Sequence, residues 1–218
     1  MEGNFHTELT TNSGLYNADK LEVVDWSGID ITKESQKEDR QSDSIQFRTI
    51  ERLKAAGGYK VIFDDDGAGE AADVVAIRID SADRPKNIDV ELYHCKFSNS
   101  EKPGGRVDDL YVVCGQAQRS VMWLHNKNRR TDLFAHLLKR DAFRVESGRP
   151  TRIEVGTTED LNLLRDQSRQ CNIRLLVFIV QPGLSKALAT SKQMALLGVT
   201  ERFLHETYQL PFKVLCHS

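Results

Sequence analysis

The spacing of apolar residues changes several times along the chain, and each change predicts an element. Leu21 to Ile29 reads as a short strand around Trp26. Thr32 to Ser42 carries Lys, Glu, Gln and Asp with almost no apolar residue, which predicts a charged connector with nothing to pack. Asp43 is a fitting cap for a helix running to about Ala56, with Gln46, Phe47, Ile50 and Leu53 on one stripe and Gly57-Gly58 as the stop. Three strands follow: Tyr59 to Asp64, Ala72 to Ile79 after a Gly67 to Gly69 turn, and Asn87 to Phe97.

The second half predicts a helix over Val107 to Leu124, apolar on nearly all sides and so expected between layers. Gly115 inside it costs helix stability, which suggests close approach to another backbone. After the basic stretch Asn126 to Arg130, a helix from Thr131 to about Phe143, a strand pair near Arg144 to Val155 and a helix from Glu159 to about Gln170 look like an insertion. Ile173 to Val180 is the most apolar strand and ends in an expected turn at Gln181-Pro182-Gly183. Helical segments over Lys186 to Leu197 and Thr200 to Tyr208, then a strand from Phe212 to Cys216, complete the order. The core therefore reads helix, strand, strand, strand, helix, strand. That order predicts an α/β fold, a central mixed sheet flanked by helices.

Composition narrows the class. With 218 residues, 39% of them hydrophobic, the chain can bury a substantial core. A formal net charge of -2 gives no global attraction to nucleic acid, so any such contact must come from local patches. The four cysteines form no CxxC pair and share no ligand spacing with the histidines, which counts against structural zinc and fits a reducing, cytoplasmic setting. No run approaches the length of a membrane span, so no membrane partner is expected. The polar start through Asp19 suggests a domain cut from a larger polypeptide. Residues 1–42 are expected to form an N-terminal extension and connector, and residues 43–218 the main domain, with the insertion at about 126–171.

Candidate chemistry concentrates in three stretches. Asp64-Asp65-Asp66-Gly67-Ala68-Gly69-Glu70-Ala71-Ala72-Asp73 places acids on a Gly-rich turn. Leu92-Tyr93-His94-Cys95-Lys96 ends an apolar strand in a lysine, and Gly115-Gln116-Ala117-Gln118 lies in the long helix. Carboxylates for a divalent cation beside a lysine are what phosphodiester hydrolysis requires.

With Asp73 at the second strand and Lys96 ending the third, the order of elements resembles the PD-(D/E)xK nuclease superfamily, the restriction-endonuclease-like fold. The resemblance covers roughly residues 43–124 and 173–180. It implies an αβββαβ core, a Mg2+ or Mn2+ cofactor and hydrolysis of DNA, with RNA as the other candidate substrate. Asp73 becomes the first metal-binding acid, and Lys96 the residue that orients water and offsets charge on the phosphate. The same stretches look like a nuclease-type domain at the end of some large bacterial defence helicases, implying a helicase in the same or a partner polypeptide and a role against phage. Many such nucleases dimerise, but no helix here demands a homodimer.

His94 stands where the family keeps its second acid. Strand alternation turns Glu91, Tyr93 and Cys95 to the face opposite His94 and Lys96, so Glu91 cannot replace it without a bulge. Glu70 is then the expected extra metal ligand, with His94 completing the shell or poising the water. An acidic, solvated hairpin and a hydrogen-bonded structural histidine are the competing account. Gln46, an amide on an apolar stripe, is a candidate for the metal shell or a phosphate. Glu51 is a reserve acid, more simply read as half of a surface ion pair. Gln116 and Arg119 share a helix face and are candidates for a nucleic-acid strand, as are Arg129 and Arg130 in the basic stretch.

Overall fold

The computed structural model describes residues 14–81, 85–124 and 132–218. Seven strands form one mixed sheet: β1 (Leu21–Val23), β2 (Val61–Asp64), β3 (Val74–Ile79), β4 (Asn87–Cys95), β5 (Ile153–Val155), β6 (Asn172–Ser185) and β7 (Phe212–His217). Their spatial order is β1-β7-β6-β4-β3-β2-β5. Strands β2, β3 and β4 form an antiparallel meander, whereas β4, β6, β7 and β1 run parallel. The helices are α1 (Ile45–Ala56), α2 (Asp108–Arg119), α3 (Asp132–Glu146), α4 (Thr158–Gln167) and α5 (Ser191–Arg202). The expected order appears as α1, β2, β3, β4, α2, β6, and the α/β class with it.

Side-chain alternation divides the core into two layers. Phe63, Val75, Ile77, Val90, Leu92, Val177 and Ile179 point to the side of α2 and α5. Ile62, Val74, Ala76, Tyr93, Cys95, Phe178 and Val180 point to α1. Burial on both faces explains why the central strands read as continuous apolar runs. Across β4 and β6, the paired Tyr93 and Phe178 rings stack with centroids 4.3 Å apart. Glu91 lies on the α1 face as alternation requires, accepting hydrogen bonds from the Tyr59 and Tyr93 hydroxyls at 2.8 and 2.6 Å.

Several expectations are corrected. Ser44, not Asp43, caps α1, its hydroxyl accepting from the Phe47 N–H at 3.2 Å. The connector packs after all. Gln36 is 2% exposed and donates from its side-chain amide to Asp64 and Glu154, both at 3.1 Å. Glu154, on β5, also pairs with Arg40 at 2.6 Å and Lys54 at 3.0 Å, so the connector is tied down by the far edge of the sheet. The polar composition that suggested an unpacked segment instead supplies partners for buried polar groups. The insertion contributes α3, α4 and the single edge strand β5 rather than a strand pair.

Helix α2 is not enclosed: Tyr111 and Val112 are exposed, as is Met122 in the short 3-10 turn that follows. Nothing lies within 4 Å of a side chain added at Gly115, so the close backbone approach expected there is absent. Strand β6 runs through Gln181-Pro182-Gly183 to Ser185, with a register shift after Val180 that absorbs the proline in place of a turn. All four cysteines are buried and unbridged. No helix among the described residues is long and apolar enough to cross a membrane.

Residues 14–20, just ahead of β1, are integral to the fold. Tyr16 donates its N–H to the Met194 carbonyl at 2.9 Å, and a methyl at Gly198 would run into the Gly14 carbonyl oxygen. Two alanine substitutions therefore have opposite expected signs in chemical or thermal unfolding. Gly198→Ala should destabilise by about 1–3 kcal/mol through overpacking. Gly115→Ala, in an open helical position, should stabilise by about 0.5–1 kcal/mol. Equal effects would contradict both placements.

Candidate metal centre

Pairing of Val74 with Tyr93 sets Asp73 opposite His94 at the mouth of the β3–β4 ladder. Asp73 is 2% exposed, and its carboxylate accepts the Cys95 N–H at 2.8 Å, extending the ladder by a side-chain bond. Its backbone carbonyl accepts from Asp65 N–H at 3.0 Å and from the Gln46 amide at 3.1 Å. The start of β3 is thus held from three sides, each through a group that leaves one carboxylate oxygen of Asp73 for another partner.

Between β2 and β3 the chain turns through Gly67 and Gly69 at φ of 113° and 83°, values that a side chain rarely tolerates. That fold-back lets Glu70 accept the Gly67 N–H at 2.8 Å and brings Asp66 and Glu70 to Asp73. Oxygen atoms of Asp66, Glu70 and Asp73 all lie within 4.8 Å of one another. Among the described residues this is the one group of three or more acidic, His or Cys side chains so arranged. Burial, followed by the charge of Glu70, holds the Asp73 carboxyl well above the usual carboxylate range, with the Cys95 N–H opposing. Burial likewise raises Glu70. Crowded carboxylates that resist ionisation are the electrostatic complement of a hard divalent cation, and an all-oxygen donor set suits Mg2+ or Mn2+.

Lys96 directly follows β4. Its ammonium pairs with Glu34 of the connector at 2.7 Å, and the side chain as a whole is 14% exposed. Glu34 also accepts the Phe97 N–H at 2.9 Å, and its charge contributes to the raised values of Asp73 and Glu70. The lysine, its partner and the carboxylates therefore share one neighbourhood at the end of the meander.

His94 is placed differently from the metal role expected for it. It is not in the converging set; Asp66 takes the third position. Its Nε2 pairs with the Ser120 hydroxyl at 2.7 Å, while Nδ1 is buried without a partner. Burial above all, and then the Arg119 charge, push its pKa down to about 3, so the ring is neutral at ordinary pH. The histidine lines a cleft of about 270 Å³ with Glu70, Gln116, Arg119 and Trp123, and Gln116 Oε1 is also buried and unpartnered. Four of the residues singled out from the sequence thus meet in one depression beside the acidic turn.

Gln46 corrects an expectation outright. It is fully buried, donates to Asp64 at 2.8 Å and to the Asp73 carbonyl, and accepts the Gln36 N–H at 2.9 Å. Its hydrogen-bonding groups bind the site together from behind and do not reach a substrate. Glu51 pairs on the surface with Lys54 at 2.9 Å. Arg129 and Arg130 lie outside the described residues. Sequence reasoning passed over Asp66, Glu34 and two insertion arginines that brace the turn. Arg140 pairs with Asp65 and donates to the Ala68 carbonyl at 2.7 Å. Arg152 donates to the carbonyls of Asp64 and Asp66 at 3.0 and 2.9 Å. Of these only Asp66 carried a signal, its place four residues before Glu70 across a double-glycine turn.

Compared with protein-family models, curated proteins and solved structures, the chain matches none of them. The functional reading therefore stands on this geometry and on the sequence pattern.

A metal titration checks the centre. Because the folded Asp73 value lies above its unfolded one, its favourable contribution is present below the usual carboxylate pKa and is lost as pH rises through the folded value. A bound cation reverses that loss. Thermal unfolding with Mn2+ should accordingly show a larger gain at pH 8 than at pH 5, about 2.7 kcal/mol at a hundredfold excess over the dissociation constant. In Asp73→Asn the gain should largely disappear. An equal metal effect in the variant would remove Asp73 from the ligand set.

Proposed function

We propose that this chain is a metal-dependent nuclease domain of the PD-(D/E)xK type that hydrolyses DNA phosphodiester bonds, working beside a helicase in bacterial defence against phage. The observation that carries this reading is the meeting of the Asp66, Glu70 and Asp73 carboxylates with the Lys96–Glu34 pair at the ends of β3 and β4, within an α1, β2, β3, β4, α2, β6 succession. Asp66, Glu70 and Asp73 would hold Mg2+ or Mn2+. Bound there, the cation would supply Lewis-acid stabilisation of charge on the phosphate.

The chain's own groups have separable tasks. Asp73, anchored by the Cys95 N–H, keeps its remaining oxygen in a fixed direction. Lys96 carries a positive charge that Glu34 orients and that can be shared with a phosphoryl oxygen or an attacking water. His94, with its low proton affinity, is a poor general base; its unpaired Nδ1 suits it to orienting a water or a substrate oxygen. Arg119 and Gln116, on the wall of the same cleft, are suited to the adjoining phosphate and sugar.

A second reading, a nuclease-like DNA-binding or assembly module without catalysis, draws on one observation: the position of the family's second acid holds a neutral histidine hydrogen-bonded to Ser120. Cleavage assays on single-stranded and duplex DNA, with an RNA arm, separate the two. With Mn2+ the chain should cut, and Asp73→Ala and Lys96→Ala should each lower the rate by at least about a hundredfold while both variants remain cooperatively folded at the assay temperature. Full activity in either variant overturns the nuclease reading. Binding without cutting, unaffected by metal or by Asp73→Ala, supports the second one.

A further inference from the structure

On the other side of the Gly67–Gly69 turn lies a larger cleft, about 690 Å³, between the insertion and the connector. Gly67, Ala68 and Gly69 line both clefts, and the Trp123 ring of the first packs 4.9 Å from His136, which lines the second. The two depressions are therefore neighbours across one thin wall.

Among the described residues, six lysines and arginines line the larger cleft against three acids, Glu38, Asp64 and Asp66, so basic groups are in excess, and it carries an unshielded aromatic ring. Lys37 and Lys139 are exposed on its rim, and Arg149 reaches it while pairing with Glu38 at 3.2 Å. Arg144 lines it at 8% exposure, with its Nε buried and unpartnered and no ion pair among the described residues. Arg140 and Arg152 stand close enough to add like charge: burial, and then the charges of Arg140 and Arg144, lower the Arg152 pKa. A buried, under-compensated guanidinium at the base of a cleft calls for an anion. Phe143, one residue before Arg144 and four after Lys139, is 68% exposed in the same cleft. An aromatic face with cations at helical spacing beside it offers stacking for an unpaired base and charge for its flanking phosphates.

We propose that this cleft binds a single nucleic-acid strand, with Phe143 stacking on a base and Lys37, Lys139 and Arg144 receiving phosphates, and so delivers the strand to the acidic turn. The proposal rests on the nuclease reading for the fate of that strand, but not for its binding. A duplex keeps its bases stacked on one another, so the ring would distinguish single strands from double.

The experiment is fluorescence anisotropy of the full chain with a labelled oligodeoxythymidylate and with a blunt duplex, in chelator at several salt concentrations, alongside cleavage with Mn2+. Phe143→Ala should weaken single-strand binding roughly tenfold and leave duplex binding unchanged. The double variant Lys37→Ala, Lys139→Ala should flatten the single-strand salt dependence by about 1.4 in log–log slope. All three positions are exposed, so their variants should fold as wild type. Wild-type binding in both variants, or equal loss on duplex and single strand in Phe143→Ala, overturns the proposal. Strand binding that needs Phe143 in a chain that never cuts leaves the cleft standing and removes the nuclease reading. Cutting that is indifferent to the cleft, together with wild-type binding, does the reverse.

Discussion

Because Val74 pairs with Tyr93, Asp73 falls opposite His94, and the Asp73 carboxylate can take the Cys95 N–H that no strand carbonyl reaches. Everything at the candidate centre depends on that register. A slip of one residue in β3 would turn Val75 and Ile77 out of the layer they share with Val90 and Leu92 and remove their apolar burial. The same apolar alternation that stabilises the sheet thus determines where the acids and the lysine emerge. Beyond the last paired residue the strands end, and Asp73 and Lys96 stand where the backbone is free to receive partners from other segments.

Those partners arrive from far along the chain and bear mostly on charge. The acidic turn concentrates Asp64, Asp65, Asp66, Glu70 and Asp73 within ten residues, a repulsive arrangement that local structure alone would not hold. Arg140 and Arg152 from the insertion bind the turn's carbonyls and Asp65, while Gln36 and Gln46 bind Asp64. These groups fix the turn's outer side and leave Asp66, Glu70 and Asp73 facing one another. The insertion therefore has two structural effects: it closes the sheet edge with β5 and compensates the charge that the centre requires. Removing one arginine would leave buried acceptors without donors, a cost of about 1–3 kcal/mol each.

The central helices and strands were legible because their apolar periodicity is strong and local. The three successive strands, the apolar strand β6 and the opposite orientation of Glu91 follow from apolar runs and alternation, and Asp73 and Lys96 from their places at strand ends; strand direction came only with the pairing. The connector was misread because polar composition does not reveal whether a polar group meets water or a buried partner; Gln36 meets Asp64 and Glu154. Helix α2 was misread for a related reason: apolar residues such as Tyr111 and Val112 announce the possibility of burial, and exposed apolar residues are ordinary.

What the amino-acid order determined by itself is the succession of elements, the two-layer core and the position of an acidic turn and a lysine at neighbouring strand ends. These depend on periodicity and turn chemistry, which act within a few residues. Only the tertiary structure decided that Asp66 joins Glu70 and Asp73 while His94 pairs with Ser120, that Glu34 holds Lys96, and that Gln46 serves the scaffold. Each of these is a polar contact whose direction is set by how distant segments pack, and no local spacing encodes it.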